Sequence, residues 1–180
     1  MGTDLSEELL RRVLMAEGIE DKEVLENTPR RWVTALRSML GDGSEAFDFT
    51  VFPSDANNMV IVEGVEFSSL CSHHLLPFYG KAHVAYIPDG YVAGLSKLAR
   101  AVRIASLGLW SQEELADEIM HQLTRRLRPK GVGVVMRAEH TCMSVRGVKA
   151  IGAITTTSSM SGVFLDNTNN ARAEFLGLIR

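Results

Sequence analysis

Only two of the 180 residues are cysteine, Cys71 and Cys142. That is too few for the disulfide framework of a small secreted domain. No apolar run approaches the roughly 20 residues that a membrane-spanning helix needs. The acidic, amphipathic start MGTDLSEELLRR lacks the charged head and apolar middle of a secretory signal, so a cytoplasmic protein is expected. A basic surplus is also missing. The net charge is -3, which argues against nucleic acid as a partner. What remains is 46% apolar and 23% charged, a globular balance that excludes disordered and collagen-like chains. The length has room for one domain, taken as residues 1–180, with a helical part over 1–45 and a core over 57–180.

Apolar spacing places the elements. Leu5, Leu9, Leu10, Val13 and Leu14 recur at helical intervals, with Asp4 and Glu7 as a capping box and Gly18 as a stop. Thr28-Pro29 reads as the start of a second helix whose apolar face is Trp32, Val33, Leu36, Met39 and Leu40, ending at Gly41. Residues 41–58 read as a loop, 59–65 as a strand, and 79–88 as a strand alternating through Ala82, Val84 and Tyr86. Two helices follow: one carries Leu95, Leu98, Ala99 and Val102, the other Leu115, Ile119, Leu123 and Leu127 behind a Ser111–Glu114 capping box. Val132, Val134, Met136 and Ala138 alternate as a strand running towards Arg146, 151–158 reads as another, and a short helix over 171–179 closes the chain. Strands grouped in adjacent pairs predict an α+β fold. Its expected form is a four-stranded antiparallel sheet, with two helices inserted between the strand pairs on one face and N-terminal helices added. Such a sheet leaves its edges unpaired, so a homo-oligomer is expected.

Both cysteines lie within two residues of a histidine. Cys71 and His74 are spaced so that a turn can aim both at one metal, and His140 and Cys142 share one face of the predicted strand. Two sulfurs and an imidazole are the protein share of a catalytic Zn²⁺ site, which keeps its fourth position open. His73 or His140 as a fourth ligand would close it into a structural site, and the spacing leaves both alternatives standing. Ser96, Lys97 and Arg100 lie at a helix start, where amide groups favour anions. With Arg146 and Arg31 they form a basic set suited to a polyphosphate. Gln112 and Glu113 open a helix. There an acidic residue answers the helix dipole, or a carboxylate accepts two N–H bonds from a guanine edge.

Together these pieces resemble the zinc-dependent, tunnelling-fold GTP cyclohydrolase I family. The resemblance rests on FSSLCSHHLLPFYGKAHVAYIP, GLSKLAR, SQEEL, AEHTCMSVRGV and AITTTSS, and more loosely on ENTPRRW and RAEFLGLI. It implies zinc held by Cys71, His74 and Cys142, and catalysis by His73 and His140, with Ser96 assisting the ribose rearrangement. It implies a triphosphate gripped by Ser96, Lys97, Arg100, Arg146 and Arg31, and a guanine read by Gln112 and Glu113. The implied reaction opens the imidazole ring of GTP at C8, releases formate and yields 7,8-dihydroneopterin triphosphate for folate, pterin or 7-deazapurine synthesis. His140 is the implied acid at N7. The implied assembly is a ring-shaped homo-oligomer, typically a decamer, with active sites between subunits. Two positions depart from the family pattern: Ser72 stands where a Glu is usual, and Glu114 where an Arg is usual. They keep open a same-fold enzyme acting on another purine or pterin. A non-catalytic zinc-stabilised binding module is the third reading.

Overall fold

Helix α1 (Leu5–Ala16) forms where its apolar spacing predicts. Asp4 caps it by accepting the Ser6 N–H, and its other oxygen pairs with Arg37 at 2.7 Å. Gly18, at φ 81°, lets the chain turn away. Helix α2 (Lys22–Leu40) starts earlier than the Thr28-Pro29 signal suggests, with Asp21 accepting the Val24 N–H as its cap. Pro29 therefore sits inside the helix, where it has no N–H for the carbonyl of Leu25. Nε of Arg11 donates to that carbonyl instead, at 3.0 Å. A side chain from α1 thus repairs the bond that would otherwise mark the proline as a helix start.

The computed structural model describes residues 4–43, 47–166 and 168–179. The domain boundary drawn at 45 and residues 44–46 of the expected loop fall outside them. The chain divides into two compact units, Met1–Ser44 and Glu45–Arg180. The second runs β1 (Val51–Pro53), β2 (Val60–Cys71), β3 (Pro77–Ile87), β4 (Tyr91–Ala93), α3 (Leu95–Ala105), β5 (Leu109–Trp110), α4 (Gln112–Leu127), β6 (Gly131–His140), α5 (Thr141–Ser144), β7 (Thr155–Met160), a 3₁₀ turn (Gly162–Phe164) and α6 (Ala171–Leu178).

The fold is α+β, but its main sheet has five strands rather than the expected four. The order is β5-β2-β3-β6-β7. The long strands are antiparallel, and the short β5 lies parallel to β2 against Leu70 and Cys71. β1 and β4 make a separate two-stranded sheet. Two further expectations are corrected. β2 continues past residue 65, where the expected strand ends, as far as Cys71. β7 begins at Thr155 rather than 151, because the chain first turns at Gly152, φ 78°.

Strand alternation sorts the sheet into two faces. Ala82, Val84 and Tyr86 of β3 and Val132, Val134 and Met136 of β6 pack against Leu98 and Val102 of α3 and Leu115, Ile119 and Leu123 of α4. Burying each of these leucines contributes about 2 kcal/mol. A bulge between Val62 and Val65, with Gly64 at φ 71°, keeps both valines on this face despite their odd spacing. The other face is covered in part by Phe164 and Phe175, packed on Ala85 and Val135. Among the described residues no helix is long and apolar enough to cross a membrane.

Candidate metal centre and active site

One end of the β3–β6 ladder gathers the chemistry. After Cys71 the chain folds into a tight turn. The Cys71 carbonyl accepts from the amides of His74 (3.2 Å) and Leu75 (2.9 Å), and the Cys71 amide donates to Leu76 O at 2.9 Å. Closing it requires Leu75 to adopt φ 55°, a left-handed conformation that costs a residue with a side chain about 1 kcal/mol. The result places Nδ1 of His74 3.7 Å from Sγ of Cys71. β5 anchors the turn, since Trp110 O accepts the Ser72 N–H at 3.0 Å.

Cys142 arrives from the other side of the ladder. It does not share a strand with His140 as the sequence suggests. β6 ends at His140 and the chain coils into α5, closed by the Val145 N–H on Thr141 O. The Thr141 hydroxyl donates to Pro77 O at 2.6 Å and ties this coil to the start of β3. The ligand atoms of Cys71, His74 and Cys142 lie within 4.8 Å of one another. A tetrahedral ion with sulfur and nitrogen ligands would set them roughly 3.5–3.8 Å apart. The three residues therefore form a group able to hold a metal ion. Burial, and then the neighbouring Cys71 thiol, push the Cys142 thiol up from its usual range, while Arg146 pulls it back. A cation between the sulfurs reverses that repulsion and favours thiolates.

The second ring nitrogen system is separate. His140 stacks on Phe78, with ring centroids 4.7 Å apart and planes 4° from parallel. Its Nε2 lies 2.8 Å from Oε1 of Gln112. Burial lowers the His140 pKa, partly offset by the charge of Glu113. His73 is exposed, with Nδ1 3.9 Å from Sγ of Cys71. Neither histidine belongs to the three-residue ligand group among the described residues. Gln112 is almost wholly buried, 1% exposed. Its place three residues before Leu115 continues the stripe of Leu115, Ile119 and Leu123, a signal of burial that its helix-opening position hides.

Glu113 is exposed and close enough to His140 to act on it electrostatically. Glu114 closes the capping box with Ser111. Its carboxylate accepts from the Ser111 amide at 3.1 Å and hydroxyl at 2.8 Å, which holds its pKa below the usual range.

The other basic residues lie elsewhere. Ser96, Lys97 and Arg100 open α3, directly after β4. The Tyr86 hydroxyl accepts the Ala93 N–H of β4 at 3.0 Å, so this segment sits at the Tyr86 end of β3. Phe78, beside His140, is at the other end. At about 3.3 Å per residue the two ends are roughly 26 Å apart. Within one chain the structure does not bring this set to the metal centre. Arg31 belongs to the N-terminal unit, where it pairs with Glu23 at 3.1 Å.

The sequence model described as GTP cyclohydrolase I matches residues 6–180. The GTP cyclohydrolase 1 of Aquifex aeolicus (strain VF5) is 46% identical over 172 residues, 93% of this chain and 92% of that protein. That of Chlorobium phaeovibrioides (strain DSM 265 / 1930) is 46% identical over 164 residues, 89% of this chain and 73% of that protein. That of Bacteroides fragilis (strain YCH46) is 44% identical over 171 residues, 93% and 87% of the two chains.

Proposed function

The chain belongs to the GTP cyclohydrolase I family, and from that premise we propose how its residues divide the work on GTP. The reaction opens the guanine imidazole ring at C8, releases formate and leaves 7,8-dihydroneopterin triphosphate, on the route to tetrahydrofolate. The observation that carries the reading is the convergence of Cys71, His74 and Cys142 from distant stretches of chain.

Zinc is the ion this donor set suits, with two soft thiolates and one imidazole. When bound, it supplies a Lewis acid that makes hydroxide available near neutral pH. His140 moves the proton at guanine N7, held in place by the Phe78 stack. His73, exposed beside Cys71, exchanges protons with solvent. Glu113 accepts the guanine N–H groups from its exposed position near His140.

Arg146, close enough to Cys142 to act on it electrostatically, meets the triphosphate in this reading. Ser96, Lys97, Arg100 and Arg31 complete the triphosphate grip, and Ser96 assists the ribose step. The separation of roughly 26 Å along β3 supports a site completed between subunits, with α3 contributed by a neighbouring copy. The outer edges of β2 and β7 are where copies would join into a ring, a decamer in the family pattern. A cytoplasmic location and one functional domain spanning both units belong to the same reading.

The test is incubation of the zinc-loaded protein with GTP, with and without chelator. Formate release and a pterin product are expected, both abolished by chelator. Cys142→Ala should lose bound metal and roughly a thousandfold in rate, equivalent to about 4 kcal/mol of charge stabilisation. A Cys142→Ala protein that keeps its metal and its turnover would refute the ligand set. A parent protein whose metal has four protein ligands and no effect on GTP would favour a zinc-stabilised binding module.

A further inference from the structure

We propose that Gln112 is a positioning residue, which fixes the proton of neutral His140 on Nε2 and does not itself read the guanine. This deepens the ring-opening function proposed above, on which its kinetic consequence rests.

The direction in which each group can hydrogen-bond decides this role. Nε2 of Gln112 lies 3.2 Å from Met136 O, 3.1 Å from Thr155 O and 3.1 Å from Oγ1 of Thr157. The two carbonyl oxygens only accept. The amide NH₂ must therefore face β6 and β7, and Oε1 must face His140 at 2.8 Å. An amide oxygen also only accepts, so Nε2 of His140 is the donor and carries hydrogen. A neutral imidazole has a single N–H, which leaves Nδ1 with a bare lone pair. Two backbone carbonyls thus select the histidine tautomer through one buried amide.

Two consequences follow for the reaction. Any proton that His140 exchanges with substrate passes through Nδ1. Gln112 has both N–H groups committed to carbonyls and is 1% exposed, so contacting the base would break buried bonds that nothing nearby replaces. Glu113, the next residue of α4, is exposed and is left as the reader.

The test uses the full chain loaded with zinc and labelled with ¹⁵N-histidine, at a pH where the ring is neutral. Long-range ¹H–¹⁵N spectra distinguish a nitrogen that bears a proton from one that does not. The His140 signals are assigned as those missing from His140→Asn. The parent should show Nε2–H and a bare Nδ1. Gln112→Leu should lose this preference, and Gln112→Glu, which retains an accepting oxygen, should keep it. A parent with Nδ1–H overturns the proposal, as does an unchanged spectrum in Gln112→Leu. If Gln112→Leu does not fold, the parent and Gln112→Glu spectra still decide. With GTP, Gln112→Leu should lower kcat by about 10²-fold or more while KM moves little. A raised KM with unchanged kcat would return Gln112 to base recognition and overturn the proposal. The tautomer is read without turnover, so a parent that shows it yet leaves GTP intact refutes the function and spares the inference.

Discussion

The two ends of the β3–β6 ladder are built differently. At the Phe78–His140 end the chain is bent into tight turns, one through a left-handed leucine, and polar groups converge from β2, α4 and α5. At the Tyr86 end a wholly buried tyrosine hydroxyl satisfies an amide of β4, and no ligand group is gathered among the described residues. Yet the basic residues suited to a triphosphate open α3 at the tyrosine end. In the function proposed above, the contrast means that a single subunit would carry the reacting half of the site at one end and the phosphate-binding half at the other. On that reading neither half would suffice alone, and association of copies would join them.

The largest expected effect comes from mixing subunits. A protein carrying Cys142→Ala and one carrying Lys97→Ala with Arg100→Ala should each be nearly inactive on GTP. After unfolding and refolding together, the mixture should regain a measurable fraction of activity, because some sites combine an intact half from each. A mixture no more active than its components would place both halves in one subunit and break the comparison.

A matched pair of hydroxyl deletions sharpens it. Thr141→Val removes the bond to Pro77 O at the metal end, and Tyr86→Phe removes the bond from the Ala93 amide at the other. Denaturant titration should show each losing about 1 kcal/mol. Zinc affinity should fall roughly 10-fold or more in Thr141→Val alone, because of the two bonds that one ties the coil presenting Cys142 to β3. Equal zinc affinity in the two variants would remove the distinction between the ends.

The smallest effect concerns the middle of the ladder. His83 is buried on the face opposite α3 and α4, and its Nδ1 has no hydrogen-bond partner among the described residues. Burial lowers its pKa, Glu63 opposes that, and Arg137 and Lys81 reinforce it. The folded pKa lies below the unfolded value of about 6.5. The unfolded state therefore takes up the proton first, and stability present above that value is lost as pH falls through it. His83→Gln should flatten this part of the stability–pH curve without changing zinc binding. An unchanged slope would place the titration elsewhere.

Much of this was legible in the chain. The stripe of Leu115, Ile119 and Leu123, the alternation of Val132, Val134 and Met136, and the stops at Gly18 and Gly41 all took form as read, although the helix that Gly41 ends begins earlier, at Lys22. The metal group was legible as well, because Cys71-x-x-His74 and His140-x-Cys142 are local patterns. The failures share a cause: a partner distant in sequence overrode a local signal. Pro29 reads as a helix start until Arg11 satisfies Leu25 O. Cys142 reads as strand until Thr141 bonds Pro77 O and the backbone coils. Gln112 reads as a surface helix-opener until two carbonyls of β6 and β7 enclose its amide. The two-residue β5 carries too little pattern for any period to reveal it.

The convergence of Cys71 and Cys142 has a practical consequence. These are the chain's whole complement of sulfhydryls, and both belong to one ligand group. A reagent that colours on reaction with free thiol, given time to reach the buried Cys71, should count two per chain in a bare preparation and fall towards none if the group takes up an ion. The protein thus carries its own gauge of loading, readable in a cuvette before any substrate is added.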